Sequence, residues 1–557
     1  MGNRVNAVGA VLFAVVLLCA CWPWIPVSRA QGGGEPTSAA ALPATTAAAA
    51  LATTHATRYA TSEGGRKTQL QGNAKRFAIR ADALMNGGIA GRGEWGALVM
   101  DAASGEVLYQ RNADEYFVPA SNMKLLTTAL ALAKLGSAYR FRTTVETRGA
   151  ISADGGLSGD VVLVGRGDPN LSNRKFPFMG KEEFDGSPTR VLEELADAIV
   201  ARGVKSVFGD VVGDDSYFPT ERYPSGWEID DMVWEYGAAI SAIVVDDNTV
   251  RLMLTPGLND GDAVLAAVAP ATPDFVVENR VATSAAGVKS DLTLVREPGA
   301  NVVVVTGTLP ANSPPRTLTL AIQEPALHAA VLLKQLLEAR GVQVSGVARA
   351  QHESVAAPDA PVVLAEHASV PVGDSVKLVN KISQNLHTEM YLRTAARQDG
   401  VWKTPEELAK FPESFYADAG IAAGDVVQAD GSGLSRHDLV TARALVAIMS
   451  YAQKQPWFGA YYDSLPVGGV DGTLEDRMKN TAAAGRIHAK SGSLEHVRTR
   501  SGYAETASGR RLIFSFLGNN QPGKGHEATD VLDGLCVALV EEWAVSEPTK
   551  GSKHSAH

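Results

Sequence analysis

Cysteine is scarce in this chain: Cys19, Cys21 and Cys536 are the only three among 557 residues. Two of them lie in an N-terminal apolar stretch, so removal of that stretch would leave one thiol and no possible internal disulfide. Stability must then come from buried apolar surface. With 45% hydrophobic and 20% charged residues, the chain can bury a large core, divided over about two to four domains. Cys536 sits in the apolar run Val531 to Val540 and reads as an inert buried thiol. Dense basic runs are also missing. Lys and Arg number 51 against 61 Asp and Glu, a formal charge of -10, which argues against a phosphate-tracking surface and against nucleic acid as a partner. Spaced metal ligands are missing too. Asp246-Asp247-Asn248 has no further carboxylates in step with it and reads as a turn, and His387 and His488 have no companion ligand pattern. Neither a metal nor a cofactor is expected, and no internal repeat of fixed period is found.

At the start, Arg4 precedes an apolar stretch from Ala7 to Cys21, and Ser28-Arg29-Ala30 places small residues where a signal peptidase reads them. This predicts a secretory signal over residues 1–30. Two other fates remain open: acylation of Cys21 within Leu18-Cys19-Ala20-Cys21, or an uncleaved anchor over Val5 to Val27. All three export the remainder to the periplasm or cell envelope. Residues 31–74 are rich in Ala, Thr and Gly with few large apolar side chains, too few to offset the entropy of ordering, and read as a flexible tether. The polar tail over 546–557 reads as loose.

Folded structure is expected from about Lys75. Ala97 to Met100 and Val107 to Tyr109 flank a turn-rich segment and predict a hairpin. Leu125, Leu126, Ala129, Leu130 and Leu132 recur at helical spacing, so a helix starts at or next to Ser121. From about Phe141 to Ala350 short β-rich runs dominate, interrupted by a helix over Pro325 to Arg340. Helical patterns return over Val379 to Arg397 and Leu439 to Ala452. A second hairpin is expected over Arg498 to Ala504 and Arg511 to Leu517, and a last helix over Ala528 to Ala544.

The chemistry is carried by three short motifs. Ser121-Asn122-Met123-Lys124 sets a hydroxyl and an amine three residues apart on a helix, hence on one face. An alcohol needs a base to become a nucleophile, and a desolvated lysine can supply one near neutral pH. A second Ser-x-x-Lys, Ser172 to Lys175, lies between Pro169 and Pro177 with no apolar helix behind it and reads as coincidence in a loop. Ser383-Gln384-Asn385 offers a proton-relaying hydroxyl and an amide that can hold both a lysine and a substrate carbonyl. Lys490-Ser491-Gly492-Ser493 offers a cation and hydroxyls for a carboxylate, with Gly492 letting a substrate backbone lie close. The order of the three, more than any one of them, is the signal.

With Pro119-Ala120 before Ser121, Gly165-Arg166-Gly167-Asp168-Pro169, the run Asp430-Gly431-Ser432-Gly433-Leu434-Ser435-Arg436, and Leu465-Pro466-Val467-Gly468-Gly469, the chain resembles the class C low-molecular-weight penicillin-binding proteins. These form a D-alanyl-D-alanine carboxypeptidase and endopeptidase family. The resemblance covers roughly Lys75 to Ala544. It implies an α/β (α+β) fold: a β-lactamase-like serine transpeptidase domain with an antiparallel sheet and helices, plus two β-rich domains inserted in the 262-position gap between Ser121 and Ser383. The corresponding division is a discontinuous catalytic domain over 75–145 and 351–545, an inserted domain over 146–248 and 322–350, and another over 249–321.

The resemblance also implies the chemistry. Ser121 would be the nucleophile and Lys124 its base; Ser383 would relay the proton, Asn385 would orient, and backbone N–H groups of Ser121 and Ser493 would hold the oxyanion. Lys490 and Ser491 would bind the terminal carboxylate of a peptidoglycan stem peptide, with β-lactams as inhibitors that mimic it. Asp168 at the cleft mouth, contacting a substrate amine, and Arg436, pairing a substrate carboxylate, are further substrate-binding candidates; each has a plainer reading as a turn or loop residue. Two departures stand out: Ser491 where threonine is commoner, and Glu495 where some relatives carry a neutral amide. Two other functions share these motifs. A β-lactamase would release hydrolysed penicillin rapidly, and a non-catalytic wall-binding or β-lactam-sensing protein would not turn over.

Overall fold

Strand Arg511–Asn519 is apolar on both faces because helices cover both sides of its sheet. It pairs antiparallel with Glu94–Asp101 on one side and Val497–Glu505 on the other, and strands Val107–Arg111 and Ile487–Leu494 complete a five-stranded antiparallel sheet at its two edges. On one face Trp95, Phe514 and Phe516 pack with Phe77 of the first helix, Gly72–Asn86, and Leu535 and Leu539 of the last, His526–Glu541. On the other face Leu98, Ile513 and Leu517 meet helices Met123–Lys134 and Ala442–Ala452. The first hairpin turns where the sequence predicts: the Asp101 carboxylate accepts from the N–H groups of Ala103 and Ser104, at 3.1 and 2.7 Å, and Gly105 takes the left-handed conformation that closes the turn.

This computed structural model describes residues 72–543, apart from 182, 298, 357–358, 401 and 524. The leader, most of the tether and the tail lie outside the described residues. Gly72, Asn73 and Ala74, expected at the end of the tether, instead open the first helix, where Ala74 is fully buried. No described helix is long and apolar enough to cross a membrane.

Between the nucleophile helix and Ser383 the chain forms two further layers. Strands Arg142–Thr147, Val161–Val164, Val211–Asp214, Ala348–Gln351 and Val362–Ala368 make a mixed five-stranded sheet. Helices Arg190–Ala201 and Pro325–Ala339 pack on it around Leu163, Leu195, Ile199 and Leu333. This sheet reaches out to Arg142 and Ala368, beyond the 146–248 and 322–350 limits drawn from the sequence. Residues 249–321 build two three-stranded sheets around a separate apolar cluster that includes Leu252, Val303 and Val305.

Two helical expectations are corrected. The pattern over Val379 to Arg397 is two helices, Val372–Lys381 and Asn385–Gln398, broken where Ser383 takes φ 64°. The pattern over Leu439 to Ala452 starts as a short strand, Leu439–Val440. The helix begins only at Ala442, behind Thr441, whose hydroxyl accepts from the Ala444 N–H at 3.0 Å.

Candidate active site

Ser121 lies in a single 3-10 turn, Ala120–Asn122, that leads directly into helix Met123–Lys134. The turn is held under strain. Ala120 takes φ 47°, a conformation that costs an L-residue about 1–2 kcal/mol, and its surroundings leave no alternative. Thr499 Oγ1 donates to the Pro119 carbonyl at 2.8 Å and Asn122 Nδ2 donates to Ser501 Oγ at 2.9 Å. Two glycines pack directly against the turn. A Cβ on Gly433 would stand 1.9 Å from the Ala120 carbonyl, and one on Gly492 would stand 2.8 Å from the Pro119 carbonyl and 2.2 Å from Thr499 Oγ1.

Lys124 is fully buried. Its Nζ stands 3.0 Å from Ser121 Oγ, 2.6 Å from Asn385 Oδ1 and 2.7 Å from the Ser432 carbonyl. The amide oxygen and the carbonyl can only accept, so they use two N–H groups; the third neighbour is a hydroxyl that can donate. The three partners accept all three N–H groups of an ammonium, and a neutral amine is equally satisfied when its lone pair takes the Ser121 O–H instead. Burial pushes the Lys124 pKa down to about 7, against the charges of Asp430, Glu389 and Asp438, which hold it up.

Ser383 donates to Ser121 Oγ at 3.0 Å from its left-handed backbone. Lys490, also fully buried, donates to Ser383 Oγ at 2.9 Å and to the Ser491 carbonyl at 2.7 Å. Burial, reinforced by Lys124, pushes the Lys490 amine well below the ordinary lysine range. One continuous chain of polar atoms thus runs Lys490–Ser383–Ser121–Lys124. Ser491 Oγ is buried with no hydrogen-bond partner among the described residues, and Ser493 is exposed farther along the same edge strand.

The other two substrate-binding candidates fall elsewhere. Asp168 is not at a cleft mouth: it is fully buried, its Oδ1 accepting from the Asn170 N–H at 2.9 Å and its Oδ2 lying 3.7 Å from His367. Burial raises its carboxyl above the usual range. It closes its own turn and has no surface left for a substrate amine. Arg436 is partly exposed at the rim, pairing with Glu228 at 2.5 Å and donating to the Glu495 carbonyl at 3.1 Å.

Several supporting groups carry no motif of their own. The Tyr236 carbonyl accepts from Asn385 Nδ2 at 2.8 Å and so fixes which way that amide points. Glu389, buried one helical turn beyond Asn385, accepts from the N–H groups of Gly431 and Ser432 at 2.9 and 2.8 Å, and is paired with Arg393. Burial, then the Asp430 charge, pushes its carboxyl up to about 7. The Asp430 carboxylate accepts from Gly433 and Ser435 N–H and from Trp227 Nε1 at 2.6 to 2.8 Å, shaping the loop that offers the Ser432 carbonyl to Lys124. A charged residue among the apolar positions Leu386, Met390 and Leu392 was the one sequence signal for Glu389; Tyr236 contributes only backbone and left none. Among the described residues no group of three His, Cys, Asp or Glu side chains is arranged to hold a metal ion. The arrangement suits acyl transfer: a hydroxyl with a base on one side and a proton donor on the other.

Comparison with known proteins points the same way. Residues 81–539 match the model of the D-Ala-D-Ala carboxypeptidase 3 (S13) family. A D-alanyl-D-alanine carboxypeptidase of an Actinomadura species is 33% identical over 524 residues, covering 92% of each chain. One from Haemophilus influenzae is 26% identical over 425 residues, covering 75% of this chain and 84% of that protein. The crystal structure of penicillin binding protein 4 from Haemophilus influenzae superimposes with a TM-score of 0.72 at 23% identity, covering 85% of this chain and all of that one.

Proposed function

The chain belongs to the D-Ala-D-Ala carboxypeptidase 3 (S13) family and is a serine-type D-alanyl-D-alanine carboxypeptidase, and from that premise we propose that Ser121, Lys124, Ser383, Asn385 and Lys490 carry its reaction. Ser121 Oγ gives its proton to Lys124 Nζ and attacks the carbonyl of the penultimate D-alanine of a peptidoglycan stem peptide. Backbone N–H groups of Ser121 and Ser493 stabilise the oxyanion, and Asn385 orients the substrate carbonyl. The C–N bond breaks as the leaving D-alanine nitrogen takes a proton from Ser383 Oγ, which Lys490 hydrogen-bonds, and Lys124 returns to Ser383 the proton it took from Ser121, so that Lys124 is neutral again. Lys490, Ser491 and Ser493 form the end of the site that receives the terminal carboxylate, and Arg436 lines its rim. Water then attacks the ester, giving a proton to the neutral Lys124, which passes it to Ser121 Oγ as the C–O bond breaks and the free serine is restored. A stem peptide cross-linked at that bond would be cut by the same step, as an endopeptidase.

The observation that carries this reading is the Lys124 amine, buried, satisfied in its neutral form and 3.0 Å from Ser121 Oγ. β-Lactams, which mimic the D-alanyl-D-alanine end, would acylate the same serine. The structure of the Haemophilus influenzae protein in complex with a β-lactam, with a TM-score of 0.66, favours a common fold for that trap. We further propose that the segments on either side of the insertions contribute the catalytic domain, that the inserted domain drawn over 146–248 and 322–350 widens to take in strands Arg142–Thr147 and Val362–Ala368, that 249–321 is a second inserted domain, and that the chain is exported to the cell envelope.

Intact-mass spectrometry after incubation with a penicillin, with Ser121→Ala alongside, tests the assignment. A stable adduct on the parent chain, absent from the variant, is the expected result. No adduct and an unhydrolysed penicillin would overturn the catalytic reading, and rapid release of hydrolysed drug would make the chain a β-lactamase.

A further inference from the structure

Gln384, between the two polar residues of the Ser383–Asn385 loop, faces away from Ser121. Its amide oxygen accepts from the His387 N–H at 3.1 Å, capping helix Asn385–Gln398, and its Nε2 donates to Asp247 Oδ2 at 2.8 Å. Asp247 comes from the chain inserted between Ser121 and Ser383. It is buried, and its carboxylate also takes both guanidinium nitrogens of Arg174, the Ser172 hydroxyl at 2.7 Å and His387 Nε2 at 3.0 Å.

The backbone that delivers Asp247 is itself unusual. Asp246, Asp247 and Asn248 have φ of 47°, 54° and 56°, three successive non-glycine residues in the left-handed region, which L-side chains rarely occupy even singly. Each is pinned by its own side chain. Asp246 pairs with Arg251 at 2.6 Å, Asp247 is held as above, and Asn248 accepts from the Val245 N–H at 3.2 Å and donates to the Ala239 carbonyl at 3.0 Å. Such strain persists where the surroundings over-determine it, and it concentrates at functional sites. Here the middle residue of the strained run, Asp247, bonds Gln384, the residue that joins Ser383 to Asn385.

We propose that Asp247 is a positioning residue for the acylation step: through Gln384 it holds the Ser383–Asn385 segment, with Ser383 left-handed, in the geometry that puts Ser383 Oγ on Ser121 and Asn385 Oδ1 on Lys124. Arg174 and His387 keep the carboxylate charged, and the Asp247–Gln384 bond ties the inserted chain to catalysis. The inference rests on the roles given above to Ser383 and Asn385.

The test measures the acylation rate constant of the full chain by a fluorescent penicillin, with reversible binding resolved from acylation, for Gln384→Met, Gln384→Glu and Ser383→Ala. Gln384→Met removes the bond to Asp247 together with the cap on the His387 N–H, whereas Gln384→Glu keeps an oxygen for that cap. The expected result for Gln384→Met is an acylation rate lowered about tenfold or more, with reversible binding close to the parent and a thermal unfolding midpoint lowered by no more than a lost helix cap accounts for. For Gln384→Glu the ratio of variant to parent rate should fall as pH rises, because the introduced carboxyl can donate to Asp247 only while protonated. A parent-like rate in Gln384→Met, or a loss shared equally with reversible binding, overturns the proposal, as does a ratio for Gln384→Glu that is flat in pH. Ser383→Ala separates the two levels. If it too acylates at the parent rate, the reading of the site fails; if it is slow while both Gln384 variants are parent-like, only the Asp247 inference fails.

Discussion

Lys490 Nζ lies 2.9 Å from Ser383 Oγ, so a buried amine backs Ser383 on one side of Ser121 as Lys124 stands behind Ser121 on the other. The two amines are distinguished by their partners. Lys124 meets two obligate acceptors and one hydroxyl, whereas Lys490 gives hydrogen bonds to the Ser383 hydroxyl and the Ser491 carbonyl.

Acylation should require Lys124 neutral. Its pKa of about 7 means that the neutral fraction grows with pH, so the second-order acylation rate constant should climb through neutrality and level off above it. The Asp430 charge raises the lysine's pKa, so Asp430→Asn should move the midpoint to lower pH. A stopped-flow series across pH on both proteins checks midpoint and direction.

Lys124→Arg keeps a long cation but replaces a titrating amine with a guanidinium that stays protonated. Acylation should drop by about 10²–10⁴, the usual contribution of a general base. Rate constants with a penicillin read this directly, and a loss below about tenfold would remove Lys124 from the base role.

Gly433→Ala should distort the nucleophile turn. The position has φ 78° and its Cβ would meet the Ala120 carbonyl at 1.9 Å. A loss of about 1–3 kcal/mol in a urea melt is expected from such overpacking, together with slower acylation, because the carbonyl that must move belongs to the residue preceding Ser121.

Arg393→Met leaves the Glu389 carboxylate buried without its guanidinium, which is itself 1% exposed. Removing one partner of a buried pair costs about 3–5 kcal/mol, measurable by chemical denaturation. Adding Glu389→Gln should return part of that loss, since the amide oxygen can still accept from Gly431 or Ser432.

The sequence was legible where one short motif does one job. Ser121, Lys124, Ser383, Asn385 and Lys490 lie together as their three motifs imply, and both hairpins of the five-stranded sheet fall where alternation and turn residues put them. It was less legible where tertiary packing chooses between local readings. The helix break at Ser383 interrupts an apolar pattern that continues on both sides, and the bonds that hold it, from Ser383 to Ser121 and Lys490 and from Gln384 to Asp247, come from distant parts of the chain. Asp168 in Gly-Asp-Pro looked equally fit for a turn or for a substrate contact, and burial decides for the turn. Asp246-Asp247-Asn248 read as a turn and is one, but its tie to Gln384, 137 positions away, had no local signature.

Ser121, Ser383 and Lys490 come from points spread over 369 positions, because Ser383 lies 262 beyond Ser121 and Lys490 a further 107 beyond Ser383. No fragment of the growing chain can therefore hold a reactive serine until its last strands have been made and docked. A labelled penicillin would count finished molecules only, turning the active site into a reporter of complete folding.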